Sequence, residues 1–170
     1  GTAMAGRSSV ETLVAVGMNH HTAPVEVRER LAMDEEGIAQ HLDTLVGQGL
    51  ASEAILLSTC NRVELYAVPT TPGNDEAIRH WFQAFRGPDG RQVDDYLFWK
   101  HGREAIVHLF RVASSLDSLV VGEPQILGQV KDAVRVAQDN RALGKVLGRL
   151  SQRTLSVAKR VRSETDIGRF

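Results

Sequence analysis

The sequence is short of several things, and each shortage narrows what these 170 residues can be. There is one cysteine, Cys60, so neither an internal disulfide nor a Cys-rich zinc site is available. A lone thiol fits a reducing cytoplasm. No apolar run approaches the roughly 18–20 residues of a membrane span. No charged-then-apolar leader opens the sequence, so a secretory signal is not expected. The patterns G-x-G-x-x-G, G-x-x-x-x-G-K-[ST] and H-E-x-x-H are all missing, which removes the usual dinucleotide, P-loop and zinc-helix readings from these residues. Excess charge is missing too: the formal net charge is −1, unlike a generally basic nucleic-acid module. The charge is unevenly spread, however. Residues 1–100 hold 8 Lys+Arg against 14 Asp+Glu, and residues 101–170 hold 12 against 7, so an anion would find a basic half.

What is present is enough for a packed core, with 42% hydrophobic and 24% charged residues. Residues 1–10 are set aside as a flexible tail. Thr12–Met18 is a β-branched run and reads as a strand. The polar loop Asn19–Pro24 and a short helix over Val25–Leu31 follow. Asp34 is placed to N-cap a helix to about Val46, with Ile38, Leu42 and Leu45 on one face. Ala54–Leu57 reads as a buried strand, and Val63–Val68 as a half-buried one that turns Glu64 and Tyr66 outward. Asp75–Phe85 reads as a helix, Tyr96–Trp99 as a strand and Arg103–Ala113 as a helix. Pro124 opens a helix to about Asn140. A last helix runs from Leu143 to about Glu164, with Leu147, Leu150, Thr154, Val157 and Val161 as its stripe. The order β-α-β-β-α-β predicts an α+β fold, a ferredoxin-like antiparallel sheet with helices on one face. The additional C-terminal helices would cover an edge or leave the domain, the last being the start of a long linker helix. Residues 11–140 would form the domain proper and residues 141–170 that linker.

Cys60 lies in the polar connection Ser58-Thr59-Cys60-Asn61-Arg62 between two strands. A cation lowers a thiol's pKa, and Arg62 is close enough in sequence to do so. Asn61 or backbone N–H groups could hold an oxyanion. The plainer reading is a Cys packed as a small hydrophobe. His108 shares a helix face with Ala105 and Val112, so it points at or near the core. It is either a satisfied core histidine or a base for Cys60. His20-His21 has no ligand cluster around it and reads as loop. Gln125 and Gln129, with Ser118 and Glu123 before them, could recognise a ligand bearing both amine and carboxylate, or simply cap and solvate a helix. Arg141, Lys145, Arg149 and Arg153 recur at i,i+4. Such like charges repel unless acids or an anion such as RNA phosphate compensate them.

Three blocks make the sequence recognisable: VGMNHHTAPVEVRERL (16–31), LLSTCNRVELYAV (56–68) and SSLDSLVVGEPQILGQVKDA (114–133). Together they resemble glutamyl-tRNA reductase, from about Leu13 to Ile167. The resemblance implies a ferredoxin-like catalytic domain. Its family makes glutamate-1-semialdehyde from glutamyl-tRNA and NADPH, at the start of five-carbon tetrapyrrole synthesis. It implies Cys60 as nucleophile and His108 as the activity-critical histidine. It implies glutamate contacts from Thr59, Asn61, Arg62, Ser118, Glu123, Pro124, Gln125 and Gln129. NADPH-binding and dimerisation domains would lie outside these residues, and no metal is expected. The partners implied are glutamyl-tRNA, a second copy of the full-length protein and the downstream glutamate-1-semialdehyde aminomutase, in the cytoplasm and away from membranes. A non-catalytic tRNA-docking module and a haem-responsive regulatory domain stand beside the enzyme reading as alternatives.

Overall fold

The β-branched run near the start becomes an inner strand, β1 (Val14–Asn19), in a four-stranded sheet with β2 (Ala51–Ser58), β3 (Arg62–Pro69) and β4 (Phe98–His101). The computed structural model describes residues 9–116 and 125–167. The strand order is β2-β3-β1-β4, and every neighbouring pair is antiparallel. Between β1 and β2 come α1 (Val25–Leu31) and α2 (Glu35–Gly47); α3 (Asp75–Phe82) connects β3 to β4. After β4 come α4 (Arg103–Ala113), α5 (Ile126–Asp139) and α6 (Lys145–Ile167). The local signals explain several ends. The Asp34 carboxylate accepts from the Gly37 N–H at 2.8 Å and starts α2, and Gly49, at φ 75°, turns the chain out of it.

The boundaries differ from expectation where turns intervene. β2 starts at Ala51 rather than Ala54, and α3 ends at Phe82 rather than Phe85. Residues Asp94–Tyr96 curl into a 3-10 turn, which moves the last strand from Tyr96–Trp99 to Phe98–His101. α5 begins at Ile126, with Gln125 at its cap.

Helices cover both faces of the sheet, not one. Side chains directly opposite on antiparallel strands share a face. The registers Met18↔Val63 and Val16↔Leu65 define one face, and Gly17↔Glu64 and Ala15↔Tyr66 the other. α1 packs Val27 and Leu31 with Met18 and Val63 on the first. α4 brings His108 to Glu64 on the second. In consequence all eight residues of β3 are buried, and the half-solvated strand expected over Val63–Val68 does not exist. The trailing helices pack onto the sheet through Ile126, Val130, Ala137, Leu147 and Ala158. They also cover the β2 edge, where the Ala54 N–H donates to the Ala142 carbonyl at 2.9 Å.

The buried stripe of α6 is Leu147, Ser151, Thr154 and Ala158, while Val157, expected in the core, is 43% exposed. What fixes this helix is a residue of β2. Glu53, buried, accepts from the N–H groups of Gly144 (2.7 Å), Leu147 (2.8 Å) and Val146 (3.2 Å). A carboxylate there meets the positive end of the helix dipole and satisfies donors that the helix cannot satisfy itself. A Cβ at Gly144 would lie 2.7 Å from the Glu53 carboxyl carbon, so glycine lets the turn close on the acid. Replacing Glu53 with alanine strands these donors, and Glu53→Ala is expected to lower stability by about 1–3 kcal/mol. Urea unfolding of the two proteins measures it; a loss below about 0.5 kcal/mol, the range of an ordinary surface change, would show that water replaces the carboxylate at no cost.

Candidate active site

Cys60 sits at the exposed tip of the β2–β3 connection. The tip is drawn together by its own polar groups. The Thr59 N–H donates to the Arg62 carbonyl (2.8 Å), and the Asn61 N–H donates to Thr59 Oγ1 (3.1 Å). From α1, Arg28 donates through Nη1 to the Cys60 carbonyl at 3.2 Å and to Asn61 Oδ1 at 3.5 Å. Arg28 thus clamps the thiol-bearing loop from the neighbouring helix. It was not singled out from sequence, because nothing in VEVRERL shows which helix face meets a loop more than thirty residues on.

Arg62, expected beside the thiol or a substrate carboxylate, opens β3 with its side chain 1% exposed. Its Nη1 donates to Glu64 Oε2 at 2.9 Å. Glu64 has no exposure at all, yet it gathers three donors: Arg62, His108 Nε2 on the same oxygen at 3.0 Å, and the Tyr66 hydroxyl on Oε1 at 2.6 Å. Arg62, Glu64 and Tyr66 are alternate residues of one strand and therefore point to one face. Burial pushes the Glu64 carboxyl up. The hydrogen bond and charge of His108, the Arg62 charge and the Tyr66 hydroxyl outweigh it and hold the carboxyl below its usual range. Gly17 of β1 lies opposite Glu64, and a Cβ there would meet the Val63 carbonyl at 2.2 Å and Glu64 Cα at 2.7 Å. Only glycine permits the two strands to approach this closely beside the acid.

His108 is buried, packs at a tilt against Phe98 with ring centroids 4.9 Å apart, and lines a cleft of about 470 Å³ between β1, β4 and α4. Asn19, His21 and Thr22 form one wall of that cleft, and Lys100, Arg103 and Arg111 make it basic. The Asn19 side chain accepts from the His21 N–H (2.9 Å), and the Asn19 N–H donates to Thr22 Oγ1 (3.0 Å), so the polar loop after β1 is an ordered turn. Cys60 is not among the residues lining the cleft; Arg62 and Glu64 stand between the thiol loop and His108 along β3. Gln129 lines a smaller cavity with Met33 and with Ser58, the last residue of β2, while Gln125 is exposed at the start of α5. Ser118, Glu123 and Pro124 lie outside the described residues. Among the described residues no group of three or more His, Cys, Asp or Glu is arranged to hold a metal, and no helix is long and apolar enough to cross a membrane.

The model of the family described as glutamyl-tRNAGlu reductase, N-terminal domain, matches residues 16–165. The chain belongs to this family. Glutamyl-tRNA reductase from Pseudoalteromonas translucida is 46% identical over 157 residues, and that from Neisseria meningitidis 47% over 156. Each match covers 92% of this chain but 37% of the relative, so the chain spans little more than a third of those proteins. The solved glutamyl-tRNA reductase from Methanopyrus kandleri superposes with a TM-score of 0.72 at 36% identity, covering 91% of this chain and 35% of that one. The glutamyl-tRNA reductase match takes in the thiol loop, the Arg62–Glu64–His108–Tyr66 cluster and the cleft as one unit.

The buried acid makes stability depend on pH with a definite sign. A carboxyl whose folded pKa lies below its unfolded value of about 4.3 stabilises the fold fully above that value. It loses the contribution as pH falls through the lower, folded one. Glu64→Gln should therefore unfold at lower urea than the parent at pH 7, with a shallower decline between about pH 5 and 3. Urea midpoints across that range test it, and parallel acid limbs would place the acid sensitivity in other carboxyls.

Proposed function

We propose that these residues form the glutamate-recognising, acyl-transfer part of a glutamyl-tRNA reductase. The observation that carries this reading is a solvent-exposed thiol, Cys60, on a tethered loop that runs directly into the buried Arg62–Glu64–His108 cluster, within a chain of that family. We read the sheet as ferredoxin-like, which the order β2-β3-β1-β4 with all-antiparallel neighbours supports.

The substrate in this reading is the ester that joins glutamate to the tRNA 3′ end. The Cys60 thiolate attacks the ester carbonyl, the C–S bond forms, the C–O bond to the terminal ribose breaks, and tRNA leaves. The enzyme keeps glutamate as a thioester, which accepts hydride more readily than a carboxylate does. Thr59 and Asn61 shape the loop around the thiol, and Gln129 of α5 shares a cavity with Ser58, the residue before that loop. Arg62 supplies positive charge at the base of the loop, and His108 orients substrate or moves a proton at the floor of the cleft. Gln125, Ser118, Glu123 and Pro124 complete the glutamate contacts in this reading. Hydride would come from NADPH. In this reading its binding belongs to parts of the full-length protein beyond these residues, which carry no Gly-rich phosphate motif. The product is glutamate-1-semialdehyde, on the route to tetrapyrroles. Dimerisation of the full-length protein, hand-over of the aldehyde to its aminomutase and a cytoplasmic setting go with the same reading.

The basic stripe supports a tRNA partner. Arg141 is not part of it, since it sits at φ 57° in the turn before α6. Lys145, Arg149 and Arg153 do share a face of α6 at i,i+4. All three are exposed, with no acidic partner among the described residues. The salt bridges that would make the stripe merely structural are therefore missing, and an anionic backbone fits it. Replacing the three with glutamate should weaken tRNA binding at least ten-fold and flatten its dependence on salt by about two to three units of log K against log salt. Filter binding at several salt concentrations measures both, and an unchanged slope would remove the stripe from the tRNA contact.

For the chemistry, radiolabelled glutamyl-tRNA should leave glutamate covalently on Cys60, with none on Cys60→Ala. Added NADPH should give no semialdehyde from this chain alone. Absence of label with tRNA still bound would favour a docking module over an enzyme.

A further inference from the structure

Three neutral or cationic donors converge on one buried carboxylate, and this arrangement constrains His108. An ionised carboxylate only accepts hydrogen bonds. Arg62 Nη1 already donates to Glu64 Oε2, and its charge favours the ionised acid. His108 Nε2 meets that same oxygen at 3.0 Å, so Nε2 must carry the hydrogen. In the neutral ring Nδ1 is then the only nitrogen with a free lone pair. His108 lines the cleft, and among the described residues Nε2 is the ring nitrogen that has a hydrogen-bond partner. Tyr66 and Phe98 pack beside the ring, with centroids at 6.4 Å and 4.9 Å, and limit its rotation.

We propose that Glu64 is a positioning residue of the site: its carboxylate holds His108 as the Nε2–H tautomer, so that Nδ1 is the nitrogen offered to the reacting groups, and anchors Arg62 at the base of the thiol loop by the same oxygen. This rests on the acyl-transfer reading above and extends it to a residue that touches neither thiol nor cleft. The Tyr66 hydroxyl fixes the other carboxylate oxygen, and Gly17 gives β3 the close strand approach that sets the acid's position. The logic is that of a base oriented by a third group, with an arginine sharing the orienting acid.

Two measurements on the protein containing this chain test it. First, ¹⁵N–¹H correlation spectra of the His108 ring in the parent protein should show the Nε2–H form. A ring protonated at Nδ1 alone overturns the proposal without any variant. Second, single-turnover transfer of glutamate from glutamyl-tRNA to the protein should fall about 100-fold in Glu64→Gln, in the range typical of a lost acid–base group. The concentration of glutamyl-tRNA giving half-maximal rate should not change. Alkylation of the exposed Cys60 by iodoacetamide should stay within about two-fold, as expected if the loop stays folded. Tyr66→Phe, which removes one donor and keeps the ring, should keep the tautomer and lose only a few-fold in rate. Parent-like transfer in Glu64→Gln overturns the role of Glu64. Absence of transfer in the parent itself would instead overturn the acyl-transfer reading, and with it the use of Nδ1 in that reaction.

Discussion

A strand buried on both faces leaves its polar side chains no water to bond, and β3 is such a strand. Arg62, Glu64 and Tyr66 are three polar residues in that position, each exposed by 1% or less. An isolated charge there would cost several kcal/mol, and a lone pair of charges is often no better than apolar packing. The fold meets the constraint by closing the three on one another and adding His108 from α4. Such a cluster is tolerable only when each member is satisfied, which restricts the placement of the α4 helix, the β1–β3 register and the glycine at 17 together. The site is thus a consequence of covering the second face of the sheet. Without α4 above it, Glu64 would be a solvated acid on an open face.

The same covering separates two kinds of work. The thiol is outside, on a loop whose carbonyl and neighbouring amide are held by Arg28. The titratable partners are inside, where water does not screen them and their geometry is fixed by packing. In the proposed acyl transfer the thiol must meet a macromolecular ester and so needs access, whereas groups that assist it would gain from low dielectric and a fixed orientation. Arg62 joins the two, since it follows the loop directly and ends on the buried acid. Its charge is therefore directed at Glu64 in the interior. That pairing explains why adjacency in sequence overstates what Arg62 alone can do for Cys60.

Much of the fold was legible in the sequence. The Asp34 cap, the Arg103–Ala113 helix, the strand at Val14 and the short helix over Val25–Leu31 each follow from local signals, and the element order carried the antiparallel sheet. What local signals cannot carry is which face of a strand another element will cover. Alternation in VELYAV has the same form whether Glu64 and Tyr66 meet water or a helix. Arg62, Glu64 and Tyr66 together did hold a clue: three hydrogen-bonding groups of complementary type on alternate residues of one strand can satisfy one another. The stripe of α6 was displaced for a related reason. Ser151 and Thr154 are small enough to sit under a close helix contact, so the buried face follows their size and not the apolar Val157. Of the candidate site, Cys60 and His108 were singled out by type and setting, while Arg28 and Glu64 take their places through contacts across tens of residues.

Glu53 and Glu64 show how the same residue type does two different jobs in adjacent strands. Both are buried carboxylates, and both are paired across the sheet's second face or edge with elements from the later half of the chain. Glu53 binds only backbone N–H groups at a helix start, an environment with partial charges and no titrating partner. Glu64 binds three side chains, two of them cationic or able to become so. A proton gained by the first disturbs one helix end. A proton gained by the second changes the donor pattern at His108 and Arg62 together, so its protonation state reaches the cleft and the thiol loop at once. In the proposed reaction the site's chemistry would therefore depend on an acid that meets no substrate, one that the fold holds through Arg62, Tyr66, His108 and the close approach at Gly17.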